Sequence, residues 1–111
     1  MATLTINGQA VAFDKEGYLK NLTQWTPEVA DALARREGID LTPAHWEIIE
    51  LLQRFHRQFE HSPAMRILVK AVYNELGGEK GKSIYLLTLF PGSPAKLAAR
   101  IAGLPRPTNC L

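Results

Sequence analysis

Leu41-Thr42-Pro43-Ala44-His45-Trp46-Glu47-Ile48-Ile49-Glu50-Leu51-Leu52-Gln53-Arg54-Phe55-His56-Arg57-Gln58-Phe59-Glu60 carries its own start signal and its own buried face. The Thr42 hydroxyl can accept a free N–H of a first helical turn. Pro43 has no N–H to leave unpaired there, and its φ is already helical. Trp46, Ile49, Leu52, Phe55 and Phe59 then recur three or four residues apart, which puts them on one helix face. The reading is a long amphipathic helix over 43 to about 60, with that stripe in the core.

The same punctuation recurs on both sides. Thr26-Pro27, Ser62-Pro63 and Ser93-Pro94 repeat the hydroxyl–proline pair, and they predict helices beginning near 27, 63 and 94. A weaker start lies at Ser83. The stops agree: Gly38 follows Arg35-Arg36-Glu37, Gly77-Gly78 closes the third helix, Pro91-Gly92 the fourth and Gly103 the fifth. In the third helix Ile67, Leu68, Ala71 and Val72 are the expected core positions. Before the helices, Thr3–Ile6 and Gln9–Phe13 alternate at period two around Asn7-Gly8, the pair a type I′ hairpin turn requires. Asp14-Lys15-Glu16-Gly17 is then a loop. The fold class that follows is mainly α, a small α+β domain. An N-terminal β-hairpin over 3–13 packs on about five helices (a helical body over 27–102), with an extended, flexible C-terminal arm over 103–111.

The bulk numbers allow one domain and limit the function. The chain has 111 residues, 46% hydrophobic, with a formal net charge of +2. That suffices for a real core, and the mild basicity permits nucleic acid or an acidic protein as partner without requiring either. No apolar run is long enough to span a bilayer, so no membrane partner is expected. With one cysteine and no signal-like N-terminus the expected compartment is the cytoplasm. Cys110 is penultimate, and a prenylation box needs its cysteine fourth from the end.

Most candidate motifs dissolve on inspection. Gly77-Gly78-Glu79-Lys80-Gly81-Lys82-Ser83 resembles a phosphate-binding P-loop, but the first glycine should stand at Leu76, and the preceding element is a helix rather than a strand. His45, His56 and His61 lack metal-ligand spacing, so they read as structural or surface residues and no metal or cofactor is implied. No serine sits in a nucleophile elbow. Glu47 and Glu50 share a solvated face. The predicted helices 63–76 and 83–90 across a glycine-containing connector resemble a helix–turn–helix. Arg66, Lys70, Lys80 and Lys82 around them form a possible basic surface. A solvated basic face on a tight helical pair explains them better than sequence-specific DNA binding does.

Cys110 remains. Its segment, Gly103-Leu104-Pro105-Arg106-Pro107-Thr108-Asn109-Cys110-Leu111, cannot continue a helix past Pro105 and Pro107. From Gly103 the chain can reach roughly 23–25 Å at ~3.3–3.6 Å per residue, and the two prolines stiffen it. From the residues alone this is either a carrier arm presenting a thiol or an inert tail.

Ile101 through Leu111 resembles the C-terminal arm of the TusE/DsrC family. So do Asp14-Lys15-Glu16-Gly17-Tyr18-Leu19, Gln24-Trp25, Glu37-Gly38-Ile39, Leu41 through Glu47, Ser62-Pro63-Ala64-Met65-Arg66 and Leu89 through Lys96. The resemblance implies that Cys110 carries sulfur as a persulfide. Family members of the sulfite-reductase branch have a second cysteine eleven residues earlier; here that position is Ala99. What remains is similar to the one-cysteine branch. Such a sulfurtransferase takes sulfur from a TusBCD-like donor complex and hands it to an MnmA-like tRNA 2-thiouridylase at a wobble uridine. Gly103, Pro105, Arg106, Pro107 and Leu111 are then the candidate arm and partner contacts, Arg106 toward an acidic or phosphate-bearing rim and Leu111 toward a small pocket. The alternatives are a single-cysteine DsrC-like protein acting in sulfur oxidation or sulfite reduction, and a helix–turn–helix-like DNA-binding regulatory module.

Overall fold

The computed structural model describes residues 2–107. Two antiparallel strands, β1 (Ala2–Ile6) and β2 (Gln9–Phe13), pair in the register Ala2 to Phe13 through Ile6 to Gln9. Asn7 and Gly8 have φ of 52° and 77°, the left-handed pair a type I′ turn demands. Val11 and Phe13 are buried, so the hairpin has one face in the core. A 3-10 turn (Leu22–Gln24) leads into five helices: α1 (Pro27–Arg36), α2 (Pro43–Phe59), α3 (Met65–Leu76), α4 (Ser83–Leu89) and α5 (Pro94–Ile101).

The shortest helix but one is the hub. α5 packs against α1, α2, α3 and α4, and Pro94, Ala95, Leu97, Ala98, Ala99 and Ile101 are all buried. Its alanines are the reason: with only a methyl at each contact, four helices can approach one short cylinder closely. Ala98, Ala99 and Ala102 are wholly inaccessible.

The caps follow the expected chemistry at α1 and α2. Thr26 accepts from the Val29 N–H at 3.2 Å. At α2 the capping box is closed by a histidine in the place usually taken by Glu or Gln. Nδ1 of His45 accepts the Thr42 N–H at 3.1 Å, and the Thr42 hydroxyl faces the His45 N–H. With Nδ1 accepting, Nε2 bears the proton and donates to the Leu89 carbonyl at 2.9 Å. His45 thereby ties the start of α2 to the end of α4, a structural role.

The structure corrects four local expectations. Ser93 precedes α5 at its cap position, but its hydroxyl makes no cap hydrogen bond. α3 begins at Met65 with Ala64 as its cap, two residues after the predicted start. The Ser62 hydroxyl, expected to cap it, points elsewhere. The apolar stripe of α2 reaches the core only in part: Ile49 and Leu52 are fully buried, Trp46 and Phe55 half-buried, and Phe59 is 50% exposed. α5 ends level with Gln53, whose amide reaches the Ala102 carbonyl, so beyond that point it no longer covers α2. Phe55, Phe59 and His61 pack on one another instead, Phe55 and Phe59 tilted with centroids 4.6 Å apart and His61 edge-on to Phe55. Ile67 is also exposed, because α3 turns the edge holding Leu68 and Val72 inward.

Candidate functional site

Gly103, expected to open a free arm, is buried, and so are Leu104 and Pro107. The segment 103–107 is packed on the body. α5 ends in a Schellman motif: the Gly103 N–H reaches the Arg100 carbonyl at 3.1 Å and the Leu104 N–H the Ala99 carbonyl at 2.9 Å. Gly103 has φ +71°, and a Cβ there would stand 2.2 Å from Cδ1 of Trp25. Glycine is needed twice, for the left-handed turn and for the indole lying against it.

Carbonyls on both sides of Gly103 are taken by side chains from three different parts of the chain. Trp25, before α1, donates its Nε1–H to the Ile101 carbonyl at 3.0 Å. Gln53, on α2, donates to the Ala102 carbonyl. Ser62, between α2 and α3 and only 2% exposed, donates its hydroxyl to the Pro105 carbonyl at 2.6 Å. Arg106 forms an exposed ion pair with Glu16 at 3.3 Å, a contact worth at most about 1 kcal/mol. Pro107 lines a groove of 320 Å³ with Met65, Leu87 and Gly92. Prolines at 105 and 107 suit this course, since neither offers an N–H that would need a partner.

Of the expected arm contacts, Gly103, Pro105, Arg106 and Pro107 lie together in this anchored root. Cys110 and Leu111 lie outside the described residues. Sequence reading missed Trp25, Gln53, Ser62 and Glu16 as the groups that hold the root. One signal was available: Gln53 directly follows Leu51 and Leu52 on a core-facing helix, where an amide needs a buried partner.

The basic quartet does not form one free patch. Lys80 pairs with Glu47 at 2.7 Å, and that hydrogen bond raises the Lys80 pKa above its ordinary value. Arg66 and Lys70 are exposed one turn apart on α3, and Lys82 is exposed before α4. α4 itself, Ser83-Ile84-Tyr85-Leu86-Leu87-Thr88-Leu89, offers no Lys, Arg, Asn or Gln for reading base edges. The glycine-rich segment is the turn from α3 to α4. A Cβ on Gly81 would lie 2.4 Å from the Tyr73 Cα, so this glycine serves a close backbone approach. Among the described residues no three His, Cys, Asp or Glu side chains gather to hold a metal ion. No described helix is long and apolar enough to cross a membrane.

A family model described as DsrC like protein matches residues 5–111. The chain belongs to the DsrC-like family. Sulfurtransferase TusE of Salmonella paratyphi A is 49% identical over 108 residues, covering 97% of this chain and 99% of that protein. Sulfurtransferase TusE of Escherichia coli K12 is 48% identical over the same shares. Among solved structures, Allochromatium vinosum DsrC superposes with a TM-score of 0.90 at 49% identity, covering 98% of this chain and 97% of that one. The oxidized gamma-subunit of dissimilatory sulfite reductase (DsrC) from Archaeoglobus fulgidus gives 0.86 at 37% identity, covering 99% and 100%. The small α+β fold is therefore the DsrC-like fold, and the chain is a sulfurtransferase by class.

Proposed function

We propose that this DsrC-like protein is a one-cysteine sulfur carrier. It accepts persulfide sulfur on Cys110 from a TusBCD-like donor and passes it to an MnmA-like tRNA 2-thiouridylase for 2-thiolation of a wobble uridine. The observation that carries the proposal is the anchored root. Ile101, Ala102 and Pro105 are held by side chains of the body, and the chain's only cysteine follows three residues after the buried Pro107. Three residues extend at most about 10–11 Å. The thiol is thereby confined to a short radius around a fixed point, and a partner must bring its own sulfur to that point.

The chemistry is thiol exchange without net oxidation. The Cys110 thiolate attacks the outer sulfur of the donor persulfide. The donor's S–S bond breaks and the donor leaves as a thiolate, so Cys110 now carries the persulfide. An acceptor cysteine thiolate attacks that outer sulfur, the Cys110 S–S bond breaks, and Cys110 is released as thiolate. Ala99 favours this one-cysteine course: it is a buried methyl where two-cysteine relatives have a second thiol, so intramolecular closure has no partner sulfur.

Incubation with a cysteine desulfurase, cysteine and the donor complex, followed by intact mass, tests the proposal. The wild type is expected to gain one sulfur and Cys110→Ser none. Equal gain by both, or gain by neither, would overturn the carrier role. Delivery to a sulfite-reductase complex in preference to the thiouridylase would move the protein to the sulfur-oxidation branch.

A further inference from the structure

A groove of 420 Å³ shares no lining residue with the one at Pro107 and is lined by Trp25, Pro27, Trp46, Glu50, Gln53, Arg54 and Arg57. The chain has two tryptophans, and both are in it. Both indoles are half-buried, so each is held by the body and offers part of its ring to the groove. Arg54 and Arg57 stand three apart on α2 at the rim. Arg54 is paired with Glu75 at 2.7 Å. Arg57 is exposed and has no ion-pair partner among the described residues. Glu50, also exposed, is an acceptor on the same rim.

We propose that this groove is a contact for single-stranded RNA. An unpaired base stacks on an indole face, and Arg57 holds a flanking phosphate. Aromatic faces accept any base, and a free guanidinium beside them pairs with phosphate in a bidentate fork. Glu50 is placed to accept from a base amine or a ribose hydroxyl. A lone carboxylate would weigh against a long polyanion; against one splayed nucleotide it adds a hydrogen bond. The inference rests on the tRNA reading above and deepens it: the acceptor enzyme presents the carrier with RNA as well as with a thiol. It also moves the nucleic-acid contact from the α3–α4 pair, where Lys80 is committed to Glu47, to the face of α2.

The groove is mechanically joined to the arm root. Trp25 and Gln53 line it and also hold the Ile101 and Ala102 carbonyls. A base stacked against Trp25 therefore presses on the side chains that fix where the arm leaves the body.

Because both tryptophans line the groove, intrinsic fluorescence reports its occupancy directly. The wild-type protein is titrated with three probes: an anticodon stem-loop RNA, a fully paired RNA duplex of equal length, and poly-glutamate. The stem-loop is expected to quench emission saturably, and the other two are not. Arg57→Glu, at an exposed position, is expected to weaken stem-loop binding about tenfold or more while its urea midpoint is unchanged. The slope of log K against log salt should fall by about 0.7, one phosphate contact. Absence of saturable quenching, equal quenching by duplex, quenching by poly-glutamate (a protein-type partner), or an unaffected Arg57→Glu variant would each overturn the proposal. Sulfur uptake on Cys110, measured by intact mass in the same samples, separates the two readings. Uptake without quenching removes only the RNA contact; quenching without uptake removes the carrier role.

Discussion

Replacing Gly103 by alanine tests the anchored root where it is tightest. The backbone there has φ +71°, which costs an L side chain about 1–2 kcal/mol. The new methyl would also stand 2.2 Å from Cδ1, 2.6 Å from Cγ and 2.9 Å from Cβ of Trp25, so the indole must move. Moving it breaks the Nε1 hydrogen bond to Ile101 and leaves a buried carbonyl unpaired, about 1–3 kcal/mol more. Gly38 is the internal control. It ends α1 in the same Schellman geometry with φ +75°, and a Cβ there meets nothing within 4 Å. Gly38→Ala should cost only the backbone strain, about 1–2 kcal/mol, and Gly103→Ala about 2–5 kcal/mol. Urea unfolding followed by far-UV circular dichroism measures both. With a slope near 2 kcal/mol per molar, Gly103→Ala should lower the midpoint by about 1–2.5 M. Losses in the two variants that agree within about 0.5 kcal/mol would refute the reasoning, since the contact with Trp25 would then contribute nothing.

Two further outcomes follow from the same structure. Ser62→Ala should cost about 1–2 kcal/mol by leaving the Pro105 carbonyl unpaired, and should speed amide exchange at Leu104 and Arg106; unchanged exchange at both would remove Ser62 from the root. Tyr18 gives the pH dependence. Burial raises its hydroxyl pKa above 10, opposed in second place by Arg100, whose guanidinium lies 5.3 Å from the ring centroid. The folded state keeps this proton longer than the unfolded chain does, so its stabilising contribution is complete below pH 10 and declines as pH rises past it. The hydroxyl has no hydrogen-bond partner among the described residues, so Tyr18→Phe should fold as stably at pH 7 and lose less stability between pH 9 and 11; an equal or steeper alkaline loss would contradict this.

Much of the fold was legible in sequence because it is locally encoded. Asn7-Gly8, Thr26-Pro27 and Thr42-Pro43 act within a few bonds of themselves, so the hairpin and the first two helix starts fall where the residues place them. Gly38 and Gly103 likewise end α1 and α5. The single cysteine and Ala99 are facts of composition, and they restrict the sulfur chemistry whatever shape the chain takes.

What the sequence left open is what distant segments decide for one another. A serine before a proline is a helix cap in isolation. Ser62 does not cap because the Pro105 carbonyl, 43 residues away, takes its hydroxyl in a buried setting. Phe59 and Ile67 have core-like spacing, yet helical period fixes only that residues share a face; the extent of α5 decides how much of the α2 face is covered, and the way α3 is turned puts Leu68 and Val72 inward in place of Ile67. The start of the arm is of the same kind. Gly103 and the prolines forbid a helix, but only the tertiary structure brings Trp25, Gln53 and Ser62 to the Ile101, Ala102 and Pro105 carbonyls and carries the anchor on to Pro107. Local steric rules set where elements begin and end; pairing of buried polar groups across the fold sets where the chain is held.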